Sequence, residues 1–183
     1  MNIIDIINKK AAGKELSENE IYFFVNEYTK KTGKVADYQA ASLLMAIKLN
    51  GMSVDETYYL TKATLESGKQ FDLSSVKGIK IDKHSTGGVG DKVTLIIAPI
   101  CVALGLKVAK LSSIGLGHTG GTIDKLASIG VNTAITNKQA LKILKDTGMF
   151  IMAQTPEICP ADKALCSIRN ATATVQSIPL ICA

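Results

Sequence analysis

The chain has 183 residues, 46% of them hydrophobic, with a formal net charge of +5 and no tryptophan; that is length enough for one or two domains around a substantial core, and it excludes a disordered chain. No apolar run nears the roughly 20 residues that a membrane helix needs, because Val93 to Leu106 is interrupted by Pro99 and Gly105. The positive charge is spread along the chain among few aromatics, which argues against nucleic acid and for a surface that attracts small anions.

The amino terminus, Met1-Asn2-Ile3-Ile4-Asp5, lacks the basic stretch and cleavage site of a secretory signal, so a cytoplasmic location with no membrane partner is expected. Ile3, Ile4, Ile6 and Ile7 give a short apolar helical face. Ser17 with Glu20 forms a capping box ahead of a helix through Ile21, Phe24, Val25 and Tyr28, closed by Gly33. Asp37 is expected to cap a third helix carrying Ala40, Leu43, Leu44 and Ile47, with Gly51 as its stop. A second box, Ser53 with Glu56, opens a fourth helix that ends near Gly68. Residues 1–68 therefore read as a helical domain and 69–77 as a polar connector.

From residue 78 the pattern alternates. A β-prone run at Ile79 to Ile81 empties into a glycine loop, followed by a helix from about Val89 to Ala103, a strand at Lys107 to Leu111 and a second glycine loop. A helix from Thr122 to Ser128, a short strand near Asn132 to Ile135, a helix from Lys138 to Asp146 and a strand at Met149 to Ala153 follow. Such alternation predicts a parallel sheet over residues 78–155, with ligands at the carboxyl ends of its strands. Residues 160–183 read as helical again, over Ala161 to Ile168 and Ala171 to Ile181, with a break or kink at Pro179. The final residues, Ile178 to Ala183, are apolar without a cap or polar tail, and the expectation is that the sequence is the amino-terminal portion of a longer protein. Cys101, Cys159, Cys166 and Cys182 form no CxxC pair and no metal-ligand spacing with a histidine, and are expected to be buried or incidental thiols.

The two glycine loops carry the chemistry. Lys83-His84-Ser85-Thr86-Gly87-Gly88-Val89-Gly90-Asp91 and Gly115-Leu116-Gly117-His118-Thr119-Gly120-Gly121-Thr122 contain both histidines of the chain. Glycines let backbone N–H groups approach a ligand, while hydroxyls and a lysine add donors, so the pattern points to an anion, most economically phosphate. The competing reading of Lys83 is a solvated surface lysine.

Those loops, the second continued as Ile123-Asp124-Lys125-Leu126, together with Pro160-Ala161-Asp162-Lys163 and Arg169-Asn170-Ala171-Thr172-Ala173-Thr174-Val175 followed by Ser177-Ile178-Pro179-Leu180, resemble the pyrimidine nucleoside phosphorylase and thymidine phosphorylase family. The likeness runs from the first helix to the last residue. It implies reversible phosphorolysis, in which a pyrimidine nucleoside and phosphate give the free base and a pentose 1-phosphate. It also implies an α/β fold with a separate all-helical lobe: an incomplete parallel sheet with flanking helices, plus a small helical domain built from the amino-terminal helices and a returning carboxyl-terminal helical segment. A cleft between the two domains would close on the nucleoside, and the helical lobe would mediate a homodimer.

Carried over by residue, the resemblance implies phosphate ligands at Lys83, Ser85, Thr94, Lys110, Ser112 and Thr122. It implies a catalytic His84 that protonates the departing pyrimidine, against the alternative of a structural donor, and an Arg169 that binds the pyrimidine carbonyl, against a salt bridge with a nearby acid. Gly87, Gly88, Gly117, His118, Gly120 and Gly121 would shape the loops, His118 either acting in catalysis or fixing its own loop. No organic cofactor is implied; a potassium ion around Gly90 and Lys92 is, through the Lys92 carbonyl or replaced by an inward Lys92 ammonium. Ser113, Ile114 and Cys166 depart from the family's usual glycine, arginine and aromatic residue, and further base contacts, a serine and a lysine, are expected beyond Ala183. Two other readings compete: a catalytically inactive chain acting as a dimerising or interaction module, and a phosphoribosyltransferase of the same superfamily, whose shorter glycine motif lacks the Lys83-His84-Ser85 lead.

Overall fold

The computed structural model describes residues 1–83, 91–115 and 120–183. In chain order the elements among them are α1 (Ile3–Ala11), α2 (Glu18–Thr29), α3 (Asp37–Asn50), α4 (Val54–Glu66), β1 (Lys80–Ile81), α5 (Thr94–Ala103), β2 (Lys107–Ser112), α6 (Thr122–Ser128), α7 (Asn137–Thr147), β3 (Met149–Ala153), α8 (Pro160–Ala171) and α9 (Ile178–Cys182). They group into two compact units, Met1–Gln70 with Thr155–Ala183, and Phe71–Gln154. The architecture is the expected α/β fold with a helical lobe to which the carboxyl-terminal helices return.

In the helical unit, α1 packs on α3 and α2 on α4, and α8 lies against α2 and α3. Ile6, Ile21, Leu43, Leu44, Ile47 and Leu60 form the centre of its core, joined by Leu165 and Ile168 from α8. The two capping boxes differ. At Ser53 both halves form, the Ser53 N–H donating to Glu56 Oε2 at 2.8 Å and the Glu56 N–H to Ser53 Oγ at 3.3 Å. At Ser17 both the backbone N–H and the hydroxyl donate to Glu20 Oε2, at 2.7 and 2.8 Å, and the same oxygen takes Lys9 Nζ at 2.7 Å. Glu56 goes further: its Oε1 accepts from Lys10 Nζ at 2.8 Å and from the Leu16 N–H at 2.8 Å, which closes a buried ion pair between α1 and α4.

Several boundaries differ from the sequence reading, each for a local reason. The second helix ends at Thr29, before Gly33, because Lys31 already takes a left-handed φ of 49° and Thr32 donates its hydroxyl back to Glu27. Ala36 caps α3, its N–H donating to Gln39 Oε1 at 3.0 Å, while Asp37 is the first helical residue. There Asp37 helps burial push the Tyr28 phenol up to about 12. Residues 172–177 are not helical: Thr172 and Thr174 pair through their hydroxyls at 3.1 Å and Ala173 turns to a φ of 56°. Pro179 consequently stands in the first turn of the short α9, where its missing N–H is not needed, and causes no kink.

The second unit is a three-stranded parallel sheet in the order β1-β2-β3. Alternation along β2 sends Ala109 and Leu111 to the core built by Leu144 of α7 with Phe150 and Met152 of β3. Val108 and Lys110 go to the opposite side, with Ala98 and Cys101 of α5. Gly148, at a φ of 89°, ends α7 in the left-handed conformation and turns the chain directly into β3. No strand forms at Asn132 to Ile135: the Asn132 side chain accepts the Ala134 N–H at 2.9 Å and bends the backbone, leaving one ladder-like bond, from the Ala153 N–H to Thr133 O at 3.1 Å. On α5, Ile96 and Ile100 are exposed, as is Leu104 at its C-cap. Of the cysteines, Cys101, Cys159 and Cys166 are half-buried and Cys182 is exposed, so none is fully buried. Burial, aided by Asp162, pushes the Cys166 thiol up to about 12.

Candidate functional site

The sheet delivers its polar residues to one end. β1 runs out at Asp82 and Lys83, β2 at Lys110 and Ser112, and the helices that follow the loops begin at Thr94 and Thr122. Thr94, Lys110 and Thr122 are each 4% exposed or less. Polar side chains buried so completely must be answered by partners, and here the partner is chiefly one carboxylate.

Asp91 is that carboxylate. Its Oδ1 accepts from Lys83 Nζ at 2.5 Å and from the Thr94 N–H at 3.2 Å, and its Oδ2 accepts from the Thr94 hydroxyl and, at 3.3 Å, from the Thr122 hydroxyl. Burial alone would raise this carboxyl, but the Lys83 ammonium and the Thr94 donors outweigh it and hold the pKa at about 2. Lys110 Nζ donates to Lys83 O at 2.5 Å and approaches Asp82 Oδ1 at 3.4 Å, which fixes the exit of β1 over β2. The fifth helix thus starts at Thr94, later than the expected Val89: Val93 stands at its N-cap with αR backbone angles, and Asp91, three residues ahead of Thr94, accepts the Thr94 N–H as a cap would. The dipole's positive end is aimed at this cluster and is already met by Asp91.

The second loop has its own clamp. Asp124 Oδ2 accepts from the Gly115 N–H at 2.5 Å and from the Gly121 N–H at 2.8 Å, and Lys125 Nζ donates to Gly120 O at 2.6 Å. A side chain at position 121 would meet Gly115 N at 2.6 Å, Ile114 C at 2.7 Å and Ser113 O at 2.9 Å, all backbone. Gly121→Ala is therefore expected to destabilise the α/β unit by about 1–3 kcal/mol, read as an earlier urea midpoint; an unchanged midpoint would show that the loop yields freely.

Of the residues singled out from sequence, the structure brings Lys83, Thr94, Lys110 and Thr122 into one polar cluster, with Ser112 half-buried at the end of the same strand, where its carbonyl accepts the Gln154 N–H at 3.3 Å. His84, Ser85, Gly87, Gly88 and Gly90 in the first loop, and Gly117 and His118 in the second, lie outside the described residues. Lys92 is exposed. Arg169 belongs to the helical unit and is 6% exposed. Its Nη1 donates to Leu180 O at 2.7 Å and its Nη2 to Val175 O at 2.9 Å, so the guanidinium ties α8 to the segment leading into α9; its Nε has no partner among the described residues. Burial lowers its pKa, opposed by Cys166 and Asp162.

Sequence reasoning assigned Asp82, Asp91 and Asp124 no role, though Asp91 takes donors from Lys83, Thr94 and Thr122, and Asp124 from Gly115 and Gly121. The signal was present at Asp91, an aspartate three residues ahead of the Thr94 that starts a helix. At Asp124, three residues after Gly121, the reciprocal spacing holds.

Two family models match the chain: glycosyl transferase family, helical bundle domain, over residues 4–68, and glycosyl transferase family, a/b domain, over residues 77–183. Among curated proteins, the pyrimidine-nucleoside phosphorylase of Staphylococcus epidermidis is 52% identical over 182 residues, 99% of this chain and 42% of that protein. The thymidine phosphorylase of Mycoplasma genitalium is 50% identical over 181 residues, again 99% of this chain and 42% of that protein. The chain thus spans less than half the length of these relatives. Among solved structures, anthranilate phosphoribosyltransferase from Thermus thermophilus superposes with a TM-score of 0.71 over 100% of this chain and 54% of that one, at 19% identity, a likeness of fold alone.

Proposed function

The chain belongs to the glycosyl transferase family, and on that premise we propose that it carries the phosphate half of a pyrimidine-nucleoside phosphorolysis site. The observation that supports this most is the convergence of two lysines and two buried threonine hydroxyls at the carboxyl end of a parallel sheet, beside two helix starts. The same residues belong to a chain about half identical to relatives named as phosphorylases. In the proposed reaction a phosphate oxygen attacks the anomeric carbon of the pentose, the bond to the pyrimidine nitrogen breaks, and the base leaves with a proton.

Lys83, Ser85, Thr94, Lys110, Ser112 and Thr122 are the proposed phosphate ligands. The cations offset the charge of the nucleophile and orient it beneath the sugar, where the oxocarbenium-like transition state develops. His84 is the proposed proton donor to the base, and Arg169 the proposed fork for its carbonyl. A homodimer through the helical lobe, a cytoplasmic location and a potassium ion that takes the Lys92 carbonyl belong to the same proposal, and no step is derived through that ion.

Titration of inorganic phosphate into the chain by calorimetry, beside a Lys83→Ala variant, tests this reading. Saturable binding that weakens by about 10- to 100-fold in the variant is expected, since a hydrogen bond to a charged group contributes on the order of 1.5–3 kcal/mol. No binding by a demonstrably folded chain, and none once the Asp91 carboxylate that pairs with Lys83 is replaced by an uncharged side chain, would sink it.

A further inference from the structure

Three of the proposed phosphate ligands already hold an anion, and that anion is part of the chain. Lys83 Nζ, the Thr94 N–H, the Thr94 hydroxyl and the Thr122 hydroxyl all donate to the two oxygens of Asp91. A threonine hydroxyl has a single proton. With both of those protons on Asp91, a phosphate oxygen reaching Thr94 and Thr122 meets lone pairs instead of donors. Lys83 differs: its side chain is 34% exposed, and an ammonium bonded once to Asp91 has two further N–H groups to offer.

The charges lead to the same point. Among the described residues Lys83 is paired with Asp91 and Lys110 with Asp82, so there an incoming dianion meets paired charges and not free cations. Asp91 is only 8% exposed, and water screens so enclosed a charge poorly.

We propose that the Asp91 carboxylate is an internal anion which holds Lys83, Thr94 and Thr122 and which phosphate must displace from them in order to bind. The proposal rests on the phosphate reading above. Phosphate affinity is then a difference between two claims on one donor set. Asp91 sets that affinity without contributing a contact to the ligand, and its departure hands the two hydroxyl protons to phosphate together. The device also keeps the donors aligned: because Asp91 ties the exit of β1 to the first turns of α5 and α6, exchange of one anion for the other leaves the three elements joined.

The test is phosphate calorimetry on the unaltered chain and on Asp91→Asn and Asp91→Ser. Asparagine keeps an acceptor for the Thr94 N–H, and serine is an equally good helix cap without charge, so at least one variant is expected to keep its circular dichroism and unfolding temperature. Removing a like charge from beside a bound anion is expected to tighten phosphate on the order of tenfold in a folded variant. Binding seen only in the uncharged variants would equally support displacement. Equal or weaker binding by a folded variant, with the unaltered chain still binding phosphate, overturns the displacement proposal and leaves the phosphate reading intact. Absence of binding in all three overturns both.

Discussion

Lys110→Met is expected to weaken phosphate binding by about 10- to 100-fold while moving the stability of the α/β unit by no more than about 1–2 kcal/mol. The split follows from where the side chain lies. Lys110 is 4% exposed on the α5 side of β2, and its ammonium reaches Lys83 O at 2.5 Å and Asp82 at 3.4 Å. Methionine fills nearly the same space, and replacing a buried charge with an apolar side chain removes a desolvation penalty along with the attraction. What remains against stability is the orphaned Lys83 carbonyl. Anion binding has no such compensation, since the cluster loses one of its two described ammonium groups and the Asp82 and Asp91 carboxylates stay. Calorimetry with phosphate and urea unfolding, run on the same preparations, read the two effects separately. Equal loss of affinity and of stability would mean that Lys110 acts by packing. Lys110→Arg, which keeps the charge but cannot keep the geometry of a single ammonium, should fall between the two.

What could be read from the sequence was mostly local or carried by the motif resemblance. Both capping boxes and the alternation of strand and helix after residue 78 follow from spacings of a few residues, whereas Lys110 came from the resemblance. The failures arise where a distant partner decides. Residues 172–177 carry the β-branched Thr172, Thr174 and Val175, poor helix formers, and Arg169 draws the Val175 and Leu180 carbonyls to its guanidinium. A helical reading of that stretch had no access to those bonds. At Asn132 to Ile135 the decision is local instead: the Asn132 side chain takes the Ala134 N–H and bends the backbone away from a strand. Asp91 was legible as a loop residue, while its meeting with Thr122, 31 positions on, belongs to the fold.

The largest stability effect is expected far from the phosphate cluster, at Glu56. Glu56→Ala removes the carboxylate that answers the buried Lys10 ammonium and strips the acceptors from the Leu16 and Ser53 N–H groups, all on one side chain that is 1% exposed. An uncompensated buried cation costs about 3–5 kcal/mol, against a total stability of roughly 5–15 kcal/mol for an ordinary domain, so the helical lobe is expected to lose its cooperative unfolding transition or to show it at a much lower denaturant concentration. Glu56→Gln separates the contributions, because an amide oxygen can still serve one backbone N–H while the ammonium goes unanswered. Its cost should lie below that of alanine. Adding Lys10→Met to Glu56→Gln then tests whether the charge is responsible: the double variant is expected to be more stable than Glu56→Gln alone, since the group left stranded by the first substitution is gone. If the second substitution adds to the damage instead, the Lys10 stem contributes through packing between α1 and α4, and the pair would be holding shape more than charge.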